Sequence, residues 1–277
     1  MNTLTLEQKP TAVETRPKEL PRYVSISQIH SFLRCPRQFY YRYVRKMSSP
    51  PTGVMTLGKA VHSALEFNFG QKIKSHHDLP VDRVLSFLSK TFDELVPATR
   101  WKGPAESGQM KQSALALIKS YHETVAPTIQ PFMVEEDFEI HLQGLPIPLR
   151  GIIDLVDTNG VLIDHKTGGQ TPTADRIDRE IKPQMMGYFL AYEAVTGSPP
   201  SGLRVDFLIR NKVPKMLSFP IEITAAQLKG FIRLLFGVTE MISEATEKQR
   251  FVPNPYNFTC TPDGCAYFDA CRKEWRG

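Results

Sequence analysis

Hydrophobic residues recur at helical spacing through the first half of the chain. They predict one helix over residues 25–34 and a second that begins at Pro36 and runs to about Lys46. Three further amphipathic helices are predicted before the middle of the chain. They centre on Leu57–Leu65, Val84–Leu95 and Ala114–Val125. The first half of the protein is therefore expected to be helical.

From about Val134 the hydrophobic period changes to two, or to short apolar runs, which is typical of strands. The predicted strands cover residues 134–142, 147–156, 160–167, 203–210 and 216–223. A predicted helix over residues 182–197 separates the third strand from the fourth, and Gly197 ends it. A long helix over residues 225–248 and a Pro- and Cys-rich tail follow. Alternating strands and helix predict an α/β core.

The chain has 277 residues, of which 41% are hydrophobic, enough for a sizeable core, and 10% are aromatic, which excludes an intrinsically disordered chain. We expect a disordered tail over residues 1–22 and a single domain after it. Within that domain we expect a helical insert at about 56–126, a catalytic core at about 132–224 and a C-terminal helix with a cysteine cluster at 225–277. No apolar run approaches the ~18 residues of a membrane span, and no secretory signal is apparent, so we expect a cytoplasmic protein.

Basic residues are unevenly distributed along the chain. The formal net charge is only +5, yet no acidic residue lies between Glu19 and Glu66. Arg34, Arg37 and Arg42 fall in this stretch among Phe and Tyr residues, a pattern typical of a surface that binds phosphates and stacks bases. The same pattern is also expected of a solvated helix face whose aromatic side chains pack inward.

Two aspartates within apolar strand sequence are the most informative residues. Asp154 and Asp164 each need a partner, because burying an unpaired carboxylate is costly, and a metal ion is a natural one. A two-residue Asn-Gly turn would place Asp154 on the wrong face. A three-residue loop, Thr158-Asn159-Gly160, pairs it directly with Asp164, and we expect that register or one of the same parity. Lys166 shares the face of Asp164.

Two carboxylates and a lysine on adjoining strands suit metal-assisted phosphodiester hydrolysis. Carboxylate oxygens bind hard divalent cations such as Mg²⁺ or Mn²⁺, which activate water and neutralise charge on a phosphodiester. Lys166 would orient the attacking water or stabilise the developing anion. An Asp-x-Lys triplet alone is common on protein surfaces as a simple ion pair, so the flanking sequence has to carry the interpretation.

The flanking sequence resembles the PD-(D/E)xK nuclease superfamily. GIIDLV followed by IDHKTG resembles the superfamily core of the RecB-type branch, which includes the AddB nuclease domain and the CRISPR-associated RecB-like exonucleases. SISQIHSFLRCPRQFYYRYV, GKAVHSALE and QMMGYFLAY resemble further motifs of that branch, in the same order. The resemblance spans roughly residues 23 to 271. It implies a restriction-endonuclease-like mixed central sheet, flanked by helices and tied by an iron–sulfur cluster.

The resemblance also implies roles for individual residues. His62 would complete a metal shell with Asp154 and Asp164, and the backbone carbonyl of His165 would be a further ligand. Gln184 and Tyr188, four apart on one helix, would act in catalysis, and Tyr188 would contact DNA. Glu135 and Glu136 open the strand before the hairpin. At most one of them can face the site, because alternate positions of a strand point to opposite sides.

Four cysteines remain to be explained. They are Cys35, Cys260, Cys265 and Cys271. Four thiolates can hold either tetrahedral Zn²⁺ or a [4Fe-4S] cluster. A split of one plus three resembles the iron–sulfur cluster of the RecB-type nucleases rather than a zinc site, although the spacing within CTPDGC is wider than the C-x2-C usual in that family.

The resemblance implies a Mg²⁺- or Mn²⁺-dependent exonuclease acting on DNA that is single-stranded or has free ends. Recombination, repair and CRISPR adaptation are the expected settings. The sequence has no helicase motif, so unwinding would require a partner such as a helicase, and an integrase-type protein is another possible partner. Two alternatives stay open: a non-catalytic DNA-binding subunit of the same fold, and a structure-specific endonuclease.

Overall fold

The computed structural model describes residues 21–275. The predicted disordered tail, residues 1–22, lies outside the described residues except for Pro21 and Arg22. Within the described range, no helix is both long enough and apolar enough to cross a membrane.

The chain divides into two compact units. We call the first the sheet unit; it comprises Tyr23–Ile26 and Ser49–Leu235. We call the second the cysteine unit; its described residues are 27–48 and 236–275. Each unit is described by itself below.

Five strands form one mixed sheet in the sheet unit, in the order β1-β2-β3-β4-β5. They are β1 (Pro131–Ile140), β2 (Leu149–Asp157), β3 (Val161–Gly168), β4 (Gly202–Ile209) and β5 (Lys215–Pro220). Only β3 and β4 are parallel, and all other neighbours are antiparallel. A parallel pair needs a crossover connection, and the helical segment over residues 174–196 supplies it. The mixed sheet confirms the predicted α/β class.

The α-helices of the described residues are α1 (Ile26–Arg34), α2 (Pro36–Phe39), α3 (Gly53–Ser75), α4 (Val81–Leu95), α5 (Glu106–Thr124), α6 (Ala174–Arg176), α7 (Lys182–Thr196), α8 (Ala225–Glu247) and α9 (Phe268–Trp275). Two of them continue as π-helical turns, α2 over Tyr40–Val44 and α6 over Ile177–Ile181. As predicted, Gly197 ends α7 in a left-handed conformation, at φ +74°. Helix α9 lies in the Pro- and Cys-rich tail, where the sequence analysis predicted no helix.

Helices α3, α4 and α5 build the main hydrophobic core on one face of the sheet. Their apolar side chains pack with Leu155 of β2, Ile163 of β3 and Leu208 of β4. Side chains alternate along a strand, so Asp154 and Asp164 lie on the opposite face from Leu155 and Ile163. Helix α7 contacts β1, β2 and β3. Asp154 and Asp164 therefore lie outside the hydrophobic core that α3, α4 and α5 form on the other face of the sheet.

Candidate active site

The hairpin between β2 and β3 has the predicted three-residue loop. Gly160 adopts φ +77°, and Asp157 Oδ1 accepts hydrogen bonds of 2.9 Å from the backbone amides of Asn159 and Val161. The strand register pairs Leu155 with Ile163 and Val156 with Leu162. Continued by one place, this register sets Asp154 opposite Asp164. The expected register is confirmed, and both carboxylates belong to one face.

Asp164, which is buried, and Lys166, which is half-buried, form an ion pair on that face. The Nζ of Lys166 lies 2.8 Å from Oδ1 and 2.7 Å from Oδ2 of Asp164, whose side chain is completely buried. The contact with Oδ2 lacks hydrogen-bond geometry, so this oxygen has no hydrogen-bond partner among the described residues. Burial raises the pKa of Asp164, Lys166 opposes the rise, and the negative charge of Asp154 adds to it. Burial alone would lower the pKa of Lys166, but the carboxylates of Asp164 and Asp154 raise it.

His62, Glu135 and Asp154 converge on one point beside this pair. The Nδ1 of His62 lies 3.5 Å from Asp154 Oδ2 and 3.8 Å from Glu135 Oε1. One potential ligand atom from each residue lies within 4.8 Å of the other two. Burial acts to lower the pKa of His62, but the neighbouring Glu135 and Asp154 raise it. Helix α3, strand β1 and strand β2 each supply one member of the cluster.

Glu135 reaches the cluster through an unusual backbone conformation. Its φ is +49°, a left-handed value that is strained for a residue with a Cβ atom, although it lies inside strand β1. Val134 and Glu136 remain in register with Leu155 and Ile153. Glu136 is exposed, so one of the two glutamates faces the site, in agreement with the expectation of at most one. The strain is localised at the residue that contributes a carboxylate.

His165 holds two members of the cluster through its main chain. Its backbone amide donates a hydrogen bond of 2.9 Å to Asp154 Oδ2. Its carbonyl oxygen, which the sequence resemblance assigned as a metal ligand, lies 2.9 Å from Nε2 of His62. In the neutral histidine, a hydrogen on Nε2 leaves Nδ1 unprotonated, so the nitrogen that faces Glu135 and Asp154 is free to accept a cation. Burial raises the pKa of Asp154, but a side-chain hydrogen bond with His165, the charge of His62 when it is protonated and the charge of Lys166 outweigh burial and lower this pKa.

A buried polar network lies behind His165, and sequence reasoning missed it. The hydroxyl of Tyr121 lies 3.0 Å from His165 Nε2 and donates to Asp206 Oδ2 at 2.8 Å. Asp206 also accepts bonds of 3.0 Å from Arg204 and 2.6 Å from Ser218. The one available signal was Asp206 itself, an acidic residue within the apolar sequence of β4, the same signal that identified Asp154.

Gln184 and Tyr188 lie together on α7, as their spacing predicted. The Nε2 of Gln184 donates to the hydroxyl of Tyr188 at 2.5 Å. Tyr188 is buried, and its ring meets Phe138 of β1 edge to face, with 6.2 Å between centroids. Burial, followed by the charges of Asp154 and Asp164, raises its pKa well above the usual range. The hydroxyl of Tyr188 therefore remains protonated at neutral pH, close enough to Asp154 and Asp164 for their charges to act on it.

The donor atoms of this site fit a divalent cation. Carboxylate oxygens with one imidazole nitrogen suit a hard or borderline ion such as Mg²⁺ or Mn²⁺. Asp164 Oδ2 adds an observation: Lys166 Nζ lies 2.7 Å from it, but it has no hydrogen-bond partner among the described residues, so it can still contact a further positive group. The cluster of His62, Glu135 and Asp154 would be the immediate ligands, with Asp164 adjacent.

The cysteine unit contains a separate cavity of about 250 Å³, which all four cysteines line. No disulfide joins them. Among the described residues, no three of the four sulfur atoms lie within 4.8 Å of one another. A tetrahedral zinc site would bring thiolates to about 3.8 Å from one another, given Zn–S bonds of about 2.3 Å.

The predicted basic and aromatic surface is partly internal. Phe39, Tyr40 and Tyr41 are buried, which agrees with the alternative that the aromatic side chains pack inward. Arg37 is also buried, stacks on Tyr41 and forms an ion pair with Glu274.

Arg34 and Arg42, the other two basic residues predicted to bind DNA, are exposed in the cysteine unit. Arg42 lies over the ring of Tyr43, 5.3 Å from its centroid. Solvent therefore reaches these two guanidinium groups, whereas that of Arg37 is used within the protein.

Comparison with known proteins places this geometry in a wider context. The crystal structure of a protein described as "Putative exonuclease" from Eubacterium rectale aligns with a TM-score of 0.60 at 12% identity, covering 89% of this chain and 90% of that chain. The crystal structure of SSO0001 aligns with a TM-score of 0.35 at 14% identity over 75% of this chain and 95% of that chain, which is too low to support an argument. No curated protein sequence matches significantly.

The first of these alignments shows a shared fold over nearly the whole length of both chains. The family model of the PD-(D/E)XK nuclease superfamily matches residues 23–272, which include the hairpin carboxylates, His62 and the cysteines. A match over most of the chain agrees with the mixed sheet and with the placement of Asp154, Asp164 and Lys166 on one face. The chain belongs to the PD-(D/E)XK nuclease superfamily.

Proposed function

We propose that this protein is a RecB-like, metal-dependent DNA exonuclease that hydrolyses phosphodiester bonds of single-stranded DNA or DNA ends. The observation that carries the proposal is the convergence of His62, Glu135 and Asp154 beside the Asp164–Lys166 pair. Membership of a nuclease superfamily supports the reaction class. The preference for DNA, for single strands and for exonucleolytic cleavage rests on the resemblance to the RecB-type branch.

Different residues of the chain would have different roles in hydrolysis. A bound Mg²⁺ or Mn²⁺ would supply positive charge against the phosphodiester and lower the pKa of a water molecule. His62, Glu135 and Asp154 would hold that ion, with Asp164 adjacent and the carbonyl of His165 orienting His62. Lys166 is positively charged at neutral pH, so it would position the attacking water and stabilise charge on the phosphate. Gln184 and Tyr188 would donate hydrogen bonds to the DNA backbone.

We further propose that Cys35, Cys260, Cys265 and Cys271 bind a [4Fe-4S] cluster rather than Zn²⁺. The cavity that they share supports a common ligand for the four cysteines, and the preference for a cluster rests on the resemblance to the RecB-type branch. Cys35 lies more than 200 residues before the other three, so ligation would close a very long loop and stabilise the cysteine unit. Iron–sulfur ligation by four thiolates also agrees with a reducing, cytoplasmic setting.

The pathway and the partners follow only from the resemblance. DNA repair, recombination and CRISPR adaptation all require trimming of DNA ends. A helicase would supply single strands to such an enzyme, and an integrase-type protein would receive its products. Co-purification with either class of partner would decide between these settings.

The nuclease proposal is tested with end-labelled linear single-stranded and double-stranded DNA in the presence of Mn²⁺. The wild type should release short labelled products, and Lys166→Ala should lose the activity while keeping its thermal unfolding transition. Lys212→Ala removes an exposed lysine of the same unit and should digest DNA like the wild type. Equal digestion by Lys166→Ala would reject the site, and no digestion by the wild type would leave the non-catalytic DNA-binding alternative.

Circular single-stranded DNA separates exonuclease from endonuclease. An exonuclease needs an end, so a closed circle should survive conditions that degrade the same sequence in linear form. Cutting of the circle would instead favour the structure-specific endonuclease.

The cluster proposal has its own test, which does not depend on activity. Protein purified without oxygen should be brown and should contain iron and acid-labile sulfide in equal amounts. Replacing Cys260 by Ser should remove the colour. Colourless protein with stoichiometric zinc would overturn the assignment.

A further inference from the structure

Two aromatic side chains of the cysteine unit project almost completely into solvent. Tyr256 is 96% exposed and Phe258 is 89% exposed, more than any other large hydrophobic residue among those described. Both lie on the segment of residues 253–259, which we call the aromatic loop. An exposed ring forgoes the free energy of burial, and two such rings, separated in the chain by one residue, form a local apolar surface.

Hydrogen bonds of its polar residues hold the aromatic loop in place. The exposure of the two rings is therefore not explained by a flexible loop. Asn254 donates from Nδ2 to the carbonyl of Arg34 at 3.1 Å and from its backbone amide to the Sγ of Cys35 at 3.4 Å. Asn257 contacts the same carbonyl of Arg34 at 3.5 Å and accepts a bond of 2.9 Å from the amide of Thr259. The asparagines therefore point into the unit, whereas Tyr256 and Phe258 point out.

Two prolines stiffen the same loop. Pro253 and Pro255 each fix their own φ and favour an extended conformation in the residue before them. The loop therefore loses little conformational entropy when a ligand covers the rings. Holding the aromatic rings in a fixed position lowers the entropic cost of binding and so favours a binding surface.

The charges around the aromatic loop favour a polyanion as its ligand. Arg34, whose carbonyl receives both asparagines, is exposed, so a residue that borders the loop carries a solvent-accessible positive charge. Residues 27–48 carry five Lys and Arg residues and no Asp or Glu; Arg37 and Arg45 pair with Glu274, whereas Arg34, Arg42 and Lys46 are exposed. Single-stranded nucleic acid combines a charged backbone with bases that stack on aromatic rings, so it matches both features.

We propose that Tyr256 and Phe258 form a stacking platform for the bases of single-stranded DNA, with Arg34 contacting a phosphate. The platform rests on the proposed function, since it assumes that DNA is the substrate. It adds a binding site within the cysteine unit that is separate from the residues assigned to hydrolysis. Stacking on rings tolerates any base sequence, so this site would bind strands without sequence preference.

The test measures binding of a fluorescein-labelled oligodeoxythymidylate by fluorescence anisotropy, with no divalent metal added, so that cleavage does not intervene. The protein is purified without oxygen to keep any cluster intact. The double variant Tyr256→Ala/Phe258→Ala should bind about 10- to 100-fold more weakly than the wild type. The ring-preserving double variant Tyr256→Phe/Phe258→Tyr should bind like the wild type.

Two controls separate stacking from charge. An abasic strand of the same length has phosphates but no bases, so it should bind the wild type and the alanine double variant with equal, weak affinity. Arg34→Gln should instead lower the slope of log affinity against log salt by about 0.7, the value for one lost phosphate contact on a single strand. Phe132→Ala, which removes a half-exposed ring from β1 of the sheet unit, should change neither quantity.

Each outcome is decisive. Weaker binding by the alanine double variant, confined to strands that carry bases, supports the platform. Equal affinity of the wild type and the double variant would overturn the platform and leave the proposed nuclease function untouched. Failure of the wild type to bind any DNA strand would overturn both.

Discussion

The hydroxyl oxygen of Tyr121 lies 3.0 Å from Nε2 of His165, and the hydroxyl donates a hydrogen bond of 2.8 Å to Oδ2 of Asp206. Burial raises the pKa of Tyr121 well above its usual range, so the hydroxyl stays protonated. The oxygen is then left to accept a hydrogen from Nε2 of His165. Since the main chain of His165 holds both Asp154 and His62, this contact from α5 fixes the residue on which the cation cluster depends.

Replacing Tyr121 by Phe should weaken metal binding without disturbing the core. The phenyl ring keeps the packing, but the buried N–H of His165 loses its partner, at a cost of about 1–3 kcal/mol in unfolding free energy. Losing an outer partner of a metal site typically reduces affinity about 10- to 100-fold. Urea unfolding and the EPR signal of bound Mn²⁺ measure the two effects.

Tyr192→Phe is the matched control for this substitution. Tyr192 is half-buried, and its hydroxyl makes no hydrogen bond to another described residue. The control should bind Mn²⁺ like the wild type. Unchanged Mn²⁺ affinity in Tyr121→Phe would show that His165 is held by packing alone.

Replacing Glu135 and replacing the adjacent Glu136 should have different effects on the stabilisation of the protein by Mn²⁺. Mn²⁺ at about 100 times its dissociation constant should stabilise the wild type by about 2.7 kcal/mol. Glu135→Gln should lose much of this stabilisation, because it removes one carboxylate of the cluster. Glu136→Gln should keep it, since Glu136 is exposed. Thermal unfolding with and without Mn²⁺ decides, and equal shifts in the two variants would contradict the assignment of Glu135.

The backbone at Glu135 gives a further prediction. At φ +49° a Cβ atom is strained, by about 1–2 kcal/mol. Glu135→Gly should therefore be more stable than Glu135→Ala by about 1 kcal/mol in urea unfolding. Glu139 lies in the same strand without a positive φ, so there alanine should be the more stable replacement. Alanine being the better residue at both positions would mean that Glu135 is not strained.

Local rules were enough to predict the hairpin. Thr158-Asn159-Gly160 specifies a three-residue loop, and the loop fixes the register that sets Asp154 opposite Asp164. The existence of the main helices and strands followed in the same way from hydrophobic period. Helix α9 was missed because its packing depends on distant partners: Glu274 contacts Arg45 at 2.8 Å, 229 residues away in sequence.

Local sequence rules did not predict the roles of Glu135 and Tyr121. Strand alternation allows only one of Glu135 and Glu136 to face the site, but it does not say which one, and no sequence pattern signals the left-handed conformation of Glu135. Tyr121 sits at an ordinary core position of an amphipathic helix. Its contact with His165 depends on how α5 packs against the sheet, which the sequence pattern of α5 alone does not specify.

The loop between Cys260 and Cys265 requires its glycine. A Cβ atom on Gly264 would lie 2.6 Å from the carbonyl oxygen of Thr259 and 2.7 Å from Oγ1 of Thr261. Gly264→Ala should therefore displace the loop and reduce the iron bound per chain. Gly108→Ala, in helix α5 with no atom near the new methyl group, should leave the iron content unchanged. Full iron content in Gly264→Ala would show that the cysteines need no fixed loop.

The location of bound Mn²⁺ in crystals, identified from its anomalous scattering, tests the central claim most directly. We predict one peak in the sheet unit within about 2.5 Å of a carboxylate oxygen of Asp154, with His62 and Glu135 also contacting the ion. A sheet unit without Mn²⁺ at saturating concentration, or an ion bound away from Asp154, would contradict the account.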